Sequence, residues 1–213
     1  MFITLEGPEG SGKSTQARML TERLRTAGCD VLLTREPGGT ALGDQIRALL
    51  LDHGHGDMHA ATEALLFAAD RAQHVHERMH PHLTQGGVVV CDRFADSTFA
   101  YQGYGLGQDL EMLRTLTMIA TGGLQPDLTL LLDLPVDVGL RRKRQAQHDE
   151  EWNRLDAREL AFHQRVRDGY HALAAAEPRR WRVFDAQQPV AILAQQIWAQ
   201  VAPRLSIHIQ DTP

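Results

Sequence analysis

The chain has 213 residues with 22 basic and 27 acidic side chains, a formal net charge of −5 with His neutral; 43% of its residues are hydrophobic and 23% charged. That length and balance suit one globular domain with its own core and exclude intrinsic disorder, while the negative total speaks against a broad nucleic-acid-binding surface. No apolar run approaches the ~18 residues of a membrane span, and Cys29 and Cys91 lack the spacing of a metal or redox pair, which fits reduced thiols in a cytoplasmic protein.

Short apolar runs alternate with longer amphipathic stretches along the chain. Residues 2–5 read as the first strand, directly at the N-terminus, so no targeting segment is expected. A Gly-rich turn leads into a helix over 14–27 that stops at Gly28. Strands follow at 31–34 and 88–91, with a helix between them over 62–80 that ends at Pro81. A helix over 109–121 runs into Gly122 and Gly123, strands follow at 128–132 and 181–184, and a helix over 190–205 closes the chain. Nearly continuous apolar strands separated by helices predict a doubly wound α/β fold. Its parallel sheet of about five strands is flanked by helices on both faces.

The turn after the first strand carries the most specific signal. Gly7, Pro8, Glu9, Gly10, Ser11, Gly12, Lys13 and Ser14, followed by Thr15, match G-x-x-x-x-G-K-[ST] between a strand and a helix. Glycines let backbone N–H groups converge on phosphate oxygens, and the helix N-terminus adds partial positive charge. Lys13 is expected on the β- and γ-phosphates of ATP and the Ser14 hydroxyl on Mg²⁺. Of the 22 basic residues twenty are Arg; Lys13 and Lys143 are the only lysines. A compact ammonium suits the loop where a planar guanidinium does not. No Asp has Gly three positions on and no NKxD occurs, so the switch elements of a GTPase are missing from the sequence. A P-loop NTPase fold and a small-molecule kinase remain.

On the acceptor side, Phe67 and Arg71 lie four apart on one helical face, where a ring can stack on a base and a guanidinium can reach its carbonyl edge. Core packing for Phe67, and an ion pair with Asp70 or Glu77 for Arg71, are the alternatives. Asp92 and Arg93 end an apolar run, at the carboxyl edge of a strand where open α/β sheets bind ligands. That placement suits the metal's water and a phosphate; a structural ion pair is the alternative. Ser97 and Tyr101 share a helical face, with Gln102 next.

Thr34-Arg-Glu-Pro-Gly-Gly-Thr40, Cys91-Asp-Arg-Phe94, Ala100-Tyr-Gln-Gly103, Pro126-Asp-Leu-Thr129, Asn153-Arg-Leu-Asp156 and Gly169-Tyr170 together resemble bacterial thymidylate kinases in order and spacing, over essentially the whole chain. The resemblance implies transfer from MgATP to dTMP, giving dTDP and ADP for dTTP synthesis, in a homodimer. It also implies Phe67 and Arg71 against thymine, Arg93 on the acceptor phosphate and transferring group, and Asp92 near the metal. Tyr101 would stand against the sugar where a 2′-hydroxyl would lie, and Gln102 at the base. Ser97 belongs to the same pocket. Glu9 would accept from the 3′-hydroxyl, Glu36 would lie near metal and water with a cis bond to Pro37, and Arg47 near the phosphate.

The stretch 141–182 holds eleven basic and seven acidic residues, +4 against −9 elsewhere. Its start, about 141–158, reads as a mobile lid within the single domain, closing arginines onto the transferring group. Gly10 leaves the phosphate loop without a basic residue, and the resemblance then implies the catalytic cation in the lid. Arg142 and Arg154 are the candidates, Arg142 also for stacking on adenine; Arg144 and Arg158 stay open. The i,i+4 pairs His55/His59 and His76/His80 have no supporting ligand motif and read as solvated or capping residues.

Overall fold

The computed structural model describes residues 1–145 and 152–205. The acidic part of the expected lid, 146–151, and the tail from 206 lie outside the described residues. Strands β1 (Phe2–Glu6), β2 (Val31–Arg35), β3 (Val88–Asp92), β4 (Leu128–Asp133) and β5 (Trp181–Asp185) form an all-parallel sheet in the order β2-β3-β1-β4-β5. Each strand runs one residue past its apolar stretch, and the added residue is charged: Glu6, Arg35, Asp92, Asp133 or Asp185. Hydrogen-bonded pairing continues past the buried stretch and delivers these side chains to the sheet's carboxyl edge.

Helices cover both faces. On one, α1 (Lys13–Thr26) and α9 (Val190–Val201) bury Leu20, Leu24, Ile197 and Trp198 against Ile3, Leu5, Val90 and Leu130. On the other, α8 (Leu160–Ala176) sets Val166 and Tyr170 against Leu131 and Trp181, and Phe2 meets Phe94 edge to face at 4.9 Å. Such fully buried aromatic and aliphatic side chains each contribute about 1.5–3 kcal/mol.

Several helices differ from the pattern read in the sequence. Helix α3 (Ala60–His74) passes into a π-helical turn, Val75–Met79, and then α4 (His80–Thr84), so the rod continues through Pro81. Proline lacks an N–H, and a helix tolerates it where the ladder is already widened. Helix α2 (Ala41–Leu51) starts at a Thr40 cap that accepts from the Gly43 amide at 2.9 Å; with Gly43 in its first turn, it carries a weak propensity signal. Past the short α5 (Ala95–Thr98), the Tyr101 segment is a second π-helical turn, Phe99–Gly105. Helix α6 (Leu110–Thr121) matches its expected span, and α9 continues as a 3₁₀ turn, Ala202–Leu205. The charged α7 (Val136–Gln145) and α8 have no counterpart in the apolar pattern.

Helix α7 rests directly on the turn after β1. Gly10 has φ 66°, and a Cβ there would fall against the Gly139 carbonyl, just as a Cβ on Gly139 would fall against the Glu9 carbonyl. Gly139→Ala is therefore expected to destabilise the fold by about 1–3 kcal/mol. At about 2–4 °C per kcal/mol for a chain this size, thermal denaturation reads that as a clear fall in Tm.

Candidate active site

The carboxyl ends of β1, β2 and β3 open into a cleft of about 1280 Å³ whose lining includes Glu9, Ser14, Glu36, Arg47, Asp92 and Arg93. Beside it a cavity of about 50 Å³ is walled by Phe67, Arg71, Arg93, Ser97, Tyr101 and Gln102. The two share Glu9, Glu36, Pro37 and Arg93.

The loop from Gly7 to Gly12 joins β1 to α1. Gly12 caps α1 at φ 87°, a left-handed position that suits glycine. Lys13 folds back along the loop, its Nζ donating to the Pro8 carbonyl at 2.9 Å and to Ser11 Oγ at 3.3 Å. Thr15 is exposed on the first turn of α1. Ser14 Oγ donates to Asp92 Oδ2 at 2.5 Å. A hydroxyl and a carboxylate side by side are hard oxygen donors, and Mg²⁺ takes one or two such protein ligands beside phosphate and water. The pair fits that ion.

Glu9 is buried inside the phosphate loop. It takes a guanidinium bond from Arg93 Nη2 at 2.9 Å, a short bond from the Tyr101 hydroxyl, and stands 3.8 Å from Lys143 Nζ. Burial would push its carboxyl up; Arg93, then Lys143 and Lys13, outweigh that and hold it well below the usual carboxylate range. Arg93 thus reaches Glu9 and not Asp92, and Asp92 is bonded to Ser14. Arg93 Nη1 also donates to Ser97 Oγ at 3.3 Å and to Tyr170 Oη at 3.1 Å.

Phe67, Arg71, Tyr101 and Gln102 come together around the small cavity. Phe67 is half-buried against the small cavity and outside the apolar core clusters. Arg71 pairs with neither Asp70 nor Glu77; its Nε donates to Glu36 Oε2 at 2.8 Å and its Nη1 to Thr98 at 3.1 Å. His74 Nδ1 lies 2.9 Å from Glu36 Oε1, so Glu36 is held from both sides. The Glu36–Pro37 bond is cis. The turn after it is pinned by Arg47 Nη1 on the Pro37 carbonyl at 2.9 Å and by Asp70 Oδ1 on the Gly38 amide, also at 2.9 Å. Burial, then the Glu36 charge, push the Asp70 carboxyl up to about 7. Gln102 Nε2 donates to Glu63 Oε1 at 2.9 Å.

The basic residues after 141 fall into three places. Arg142 Nη1 donates to the Ala186 carbonyl at 3.0 Å, in the loop after β5. Arg144 stacks on Trp152 at 4.6 Å. Arg154, expected as a lid cation, is instead buried: its Nε donates to the Leu50 carbonyl at 3.0 Å and its Nη2 to Glu63 Oε2 at 2.6 Å, with Arg158 on the same oxygen at 2.8 Å. A buried carboxylate on α3 thus holds both guanidiniums. The cation beside the loop is Lys143, 2.9 Å from Asp156 and 3.8 Å from Glu9. Its one sequence signal was its rarity. Among the histidines, His59 caps α3 by accepting from the Ala61 amide at 3.2 Å.

A loop of this shape, with a lysine folded over it, a Ser–Asp pair beside it and an acceptor cavity at its edge, defines a phosphotransferase of the P-loop NTPase class. The thymidylate kinase family model matches residues 5–197. The chain is 58% identical to the thymidylate kinase of Roseiflexus castenholzii, covering 97% of this chain and 94% of that one, and 54% identical to that of Herpetosiphon aurantiacus, covering 97% of each. The crystal structure of thymidylate kinase from Ehrlichia chaffeensis superposes with a TM-score of 0.76 at 34% identity, over 94% of this chain and 97% of that one. The chain belongs to the thymidylate kinase family, enzymes that phosphorylate dTMP to dTDP with ATP.

Glu63 collects Gln102, Arg154 and Arg158 from two other segments. Glu63→Ala would leave buried guanidinium groups without their carboxylate, and is expected to destabilise the fold by about 3–5 kcal/mol, read from the urea midpoint at constant slope.

Proposed function

We propose that the chain transfers the γ-phosphoryl group of ATP to dTMP by in-line displacement, without a covalent enzyme intermediate, in the cytoplasm and as a homodimer. The observation that carries this reading is the small cavity. Phe67 and Arg71 from α3, and Tyr101 and Gln102 from the π-turn, wall one space that ends on Arg93 and on Glu9 of the phosphate loop. A pyrimidine stacked on Phe67, with Arg71 and Gln102 at its edge, would place its sugar at Tyr101 and Glu9 and its phosphate at Arg93 and Arg47. The bond from Tyr101 to Glu9 keeps the phenol where a 2′-hydroxyl would have to lie, which favours a deoxyribose.

Gly7, Pro8, Gly10, Ser11, Gly12 and Thr15 would wrap the ATP phosphates through the loop and the first turn of α1. Lys13 would hold the β- and γ-phosphates, and Arg142, beside the loop after β5, would cover the adenine. Ser14 and Asp92 would hold Mg²⁺, which when bound supplies positive charge to the phosphates. Arg93 spans acceptor and transferring group, so its interaction strengthens as charge spreads over the equatorial oxygens. Residues 141–145 of the lid segment 141–158 belong to α7, which rests on the phosphate loop at Gly10 and Gly139, so lid motion would belong to the part of the segment outside α7. The homodimer is supported by an apolar face on α3 and α6, where Leu65 is 56%, Met118 57% and Ile119 76% exposed. An apolar patch of this kind is what a two-fold interface buries.

A coupled ADP-release assay with Mg²⁺ is expected to show dTMP turned over faster than UMP, CMP or AMP; a faster rate on any of these overturns the assignment. Lys13→Ala should lower kcat by about 10²–10³-fold, whereas Arg142→Ala should mainly raise the KM for ATP. Ile119→Asp should shift the sedimentation coefficient from dimer to monomer.

A further inference from the structure

Glu6 ends β1 one residue before the phosphate loop, has no exposed surface, and has no part in the roles above. Its Oε1 accepts the Phe94 amide at 2.8 Å, and its Oε2 accepts the Ser97 hydroxyl at 2.6 Å and the Tyr170 hydroxyl at 2.9 Å. Those two hydroxyl oxygens stand 2.8 Å apart, and both accept from Arg93 Nη1. Each hydroxyl has one proton; with Glu6 ionised, its carboxylate is purely acceptor and the guanidinium purely donor. Whichever hydroxyl donates to the other, both protons stay inside the triangle that closes on Glu6. Their lone pairs are left facing Arg93.

The backbone follows the same logic. Arg93 has φ 68°, a left-handed position for a residue with a Cβ. Its own N–H donates to the Leu5 carbonyl at 3.0 Å, and the next N–H, of Phe94, is the one that Glu6 accepts. The last two residues of β1 therefore hold the turn from both of its amides. We infer that Glu6 is a positioning residue for Arg93: it fixes the left-handed turn and orients Ser97 and Tyr170 so that the guanidinium faces the acceptor phosphate. The inference rests on the acceptor-phosphate reading of Arg93.

Burial, then the Asp96 carboxylate, push the Glu6 carboxyl up to about 7, against the opposing pull of Ser97, Arg93 and the Phe94 amide. A buried carboxyl raised in this way does not add stability at neutral pH.

The test is Glu6→Gln. Gln keeps an oxygen for the Phe94 amide but turns an NH₂ toward the two hydroxyls, which takes their lone pairs and frees a proton to oppose Arg93. The KM for dTMP is expected to rise about tenfold, the scale of a hydrogen bond to a charged group. The KM for ATP should be unchanged and Tm should not fall. Ser97→Ala/Tyr170→Phe, which leaves Glu6 in place but disconnects it, should reproduce the effect, and adding Glu6→Gln to it should bring little more. Wild-type dTMP kinetics in either variant, or a loss that tracks a fall in Tm alone, overturns the inference. Arg93→Ala separates the two readings. If it leaves dTMP kinetics intact, the acceptor-phosphate role of Arg93 fails; if it cripples them while Glu6→Gln does not, that role stands and the positioning role of Glu6 fails.

Discussion

A carboxylate stands in the middle of a loop shaped to hold phosphate, and the site is organised around neutralising it. Glu9 unpaired would repel a triphosphate at close range. Arg93 arrives from the end of β3, Lys143 from α7 and Lys13 from the loop itself, and together they keep Glu9 ionised despite its burial. Tyr101 closes the last approach. The arrangement gathers cations beside the phosphate loop. It also places an acceptor oxygen where a sugar hydroxyl could present itself. A residue that looks misplaced by its sign thereby fixes the positions of Arg93, Lys143 and Tyr101.

The convergence has backbone costs. Arg93 reaches Glu9 from a left-handed φ, a strain of about 1–3 kcal/mol. The hydrogen bonds that Leu5 and Glu6 offer its turn compensate. Lys143 reaches Glu9 because α7 lies against the loop with no side chain between, and that contact tolerates no Cβ at Gly10 or Gly139. A basic side chain at position 10 would therefore exclude the very helix that carries Lys143. The missing cation in the loop and the close approach of α7 are one structural choice.

Sequence made the frame legible because its signals are local. Five apolar runs gave five strands, and the phosphate loop was recognisable because its glycines, lysine and serine are contiguous. Asp92 and Arg93 were legible by position, at the end of a strand. The burial of Arg154 was not legible because its partner Glu63 is 91 residues away and nothing in either neighbourhood announces the other. Glu6 was passed over as the boundary of an apolar run; its three bonds go to residues that only the fold brings together. Lys143 was counted but not placed, since rarity identifies a residue without locating its side chain. The two π-turns were invisible because the wider helical step follows tertiary packing and not a distinct residue pattern.

The charge partition acquires a different meaning once these partners are known. The excess of +4 over residues 141–182 suggests an exposed basic lid, yet several of its cations face carboxylates from the acidic remainder of the chain. Arg154 and Arg158 meet Glu63, Arg167 meets Asp133 in a two-pronged bond with both distances 2.8 Å, and Arg180 meets Asp96. Charge opposition between the two parts thus ties the C-terminal elements to the sheet edge and to α3. It also bears on how an acidic protein can handle phosphates: Arg71, Arg93, Arg154, Arg158, Arg167 and Arg180 are committed to carboxylates inside the fold. Around the cleft, Lys13 is held on the Pro8 carbonyl of the phosphate loop, Arg47 on the Pro37 carbonyl of the turn after β2, and Arg93 on Glu9. Selectivity for a small phosphorylated ligand over a long polyanion then follows from placement, because a few fixed cations inside a cleft recognise a nucleotide where an evenly basic surface would recognise any phosphate chain.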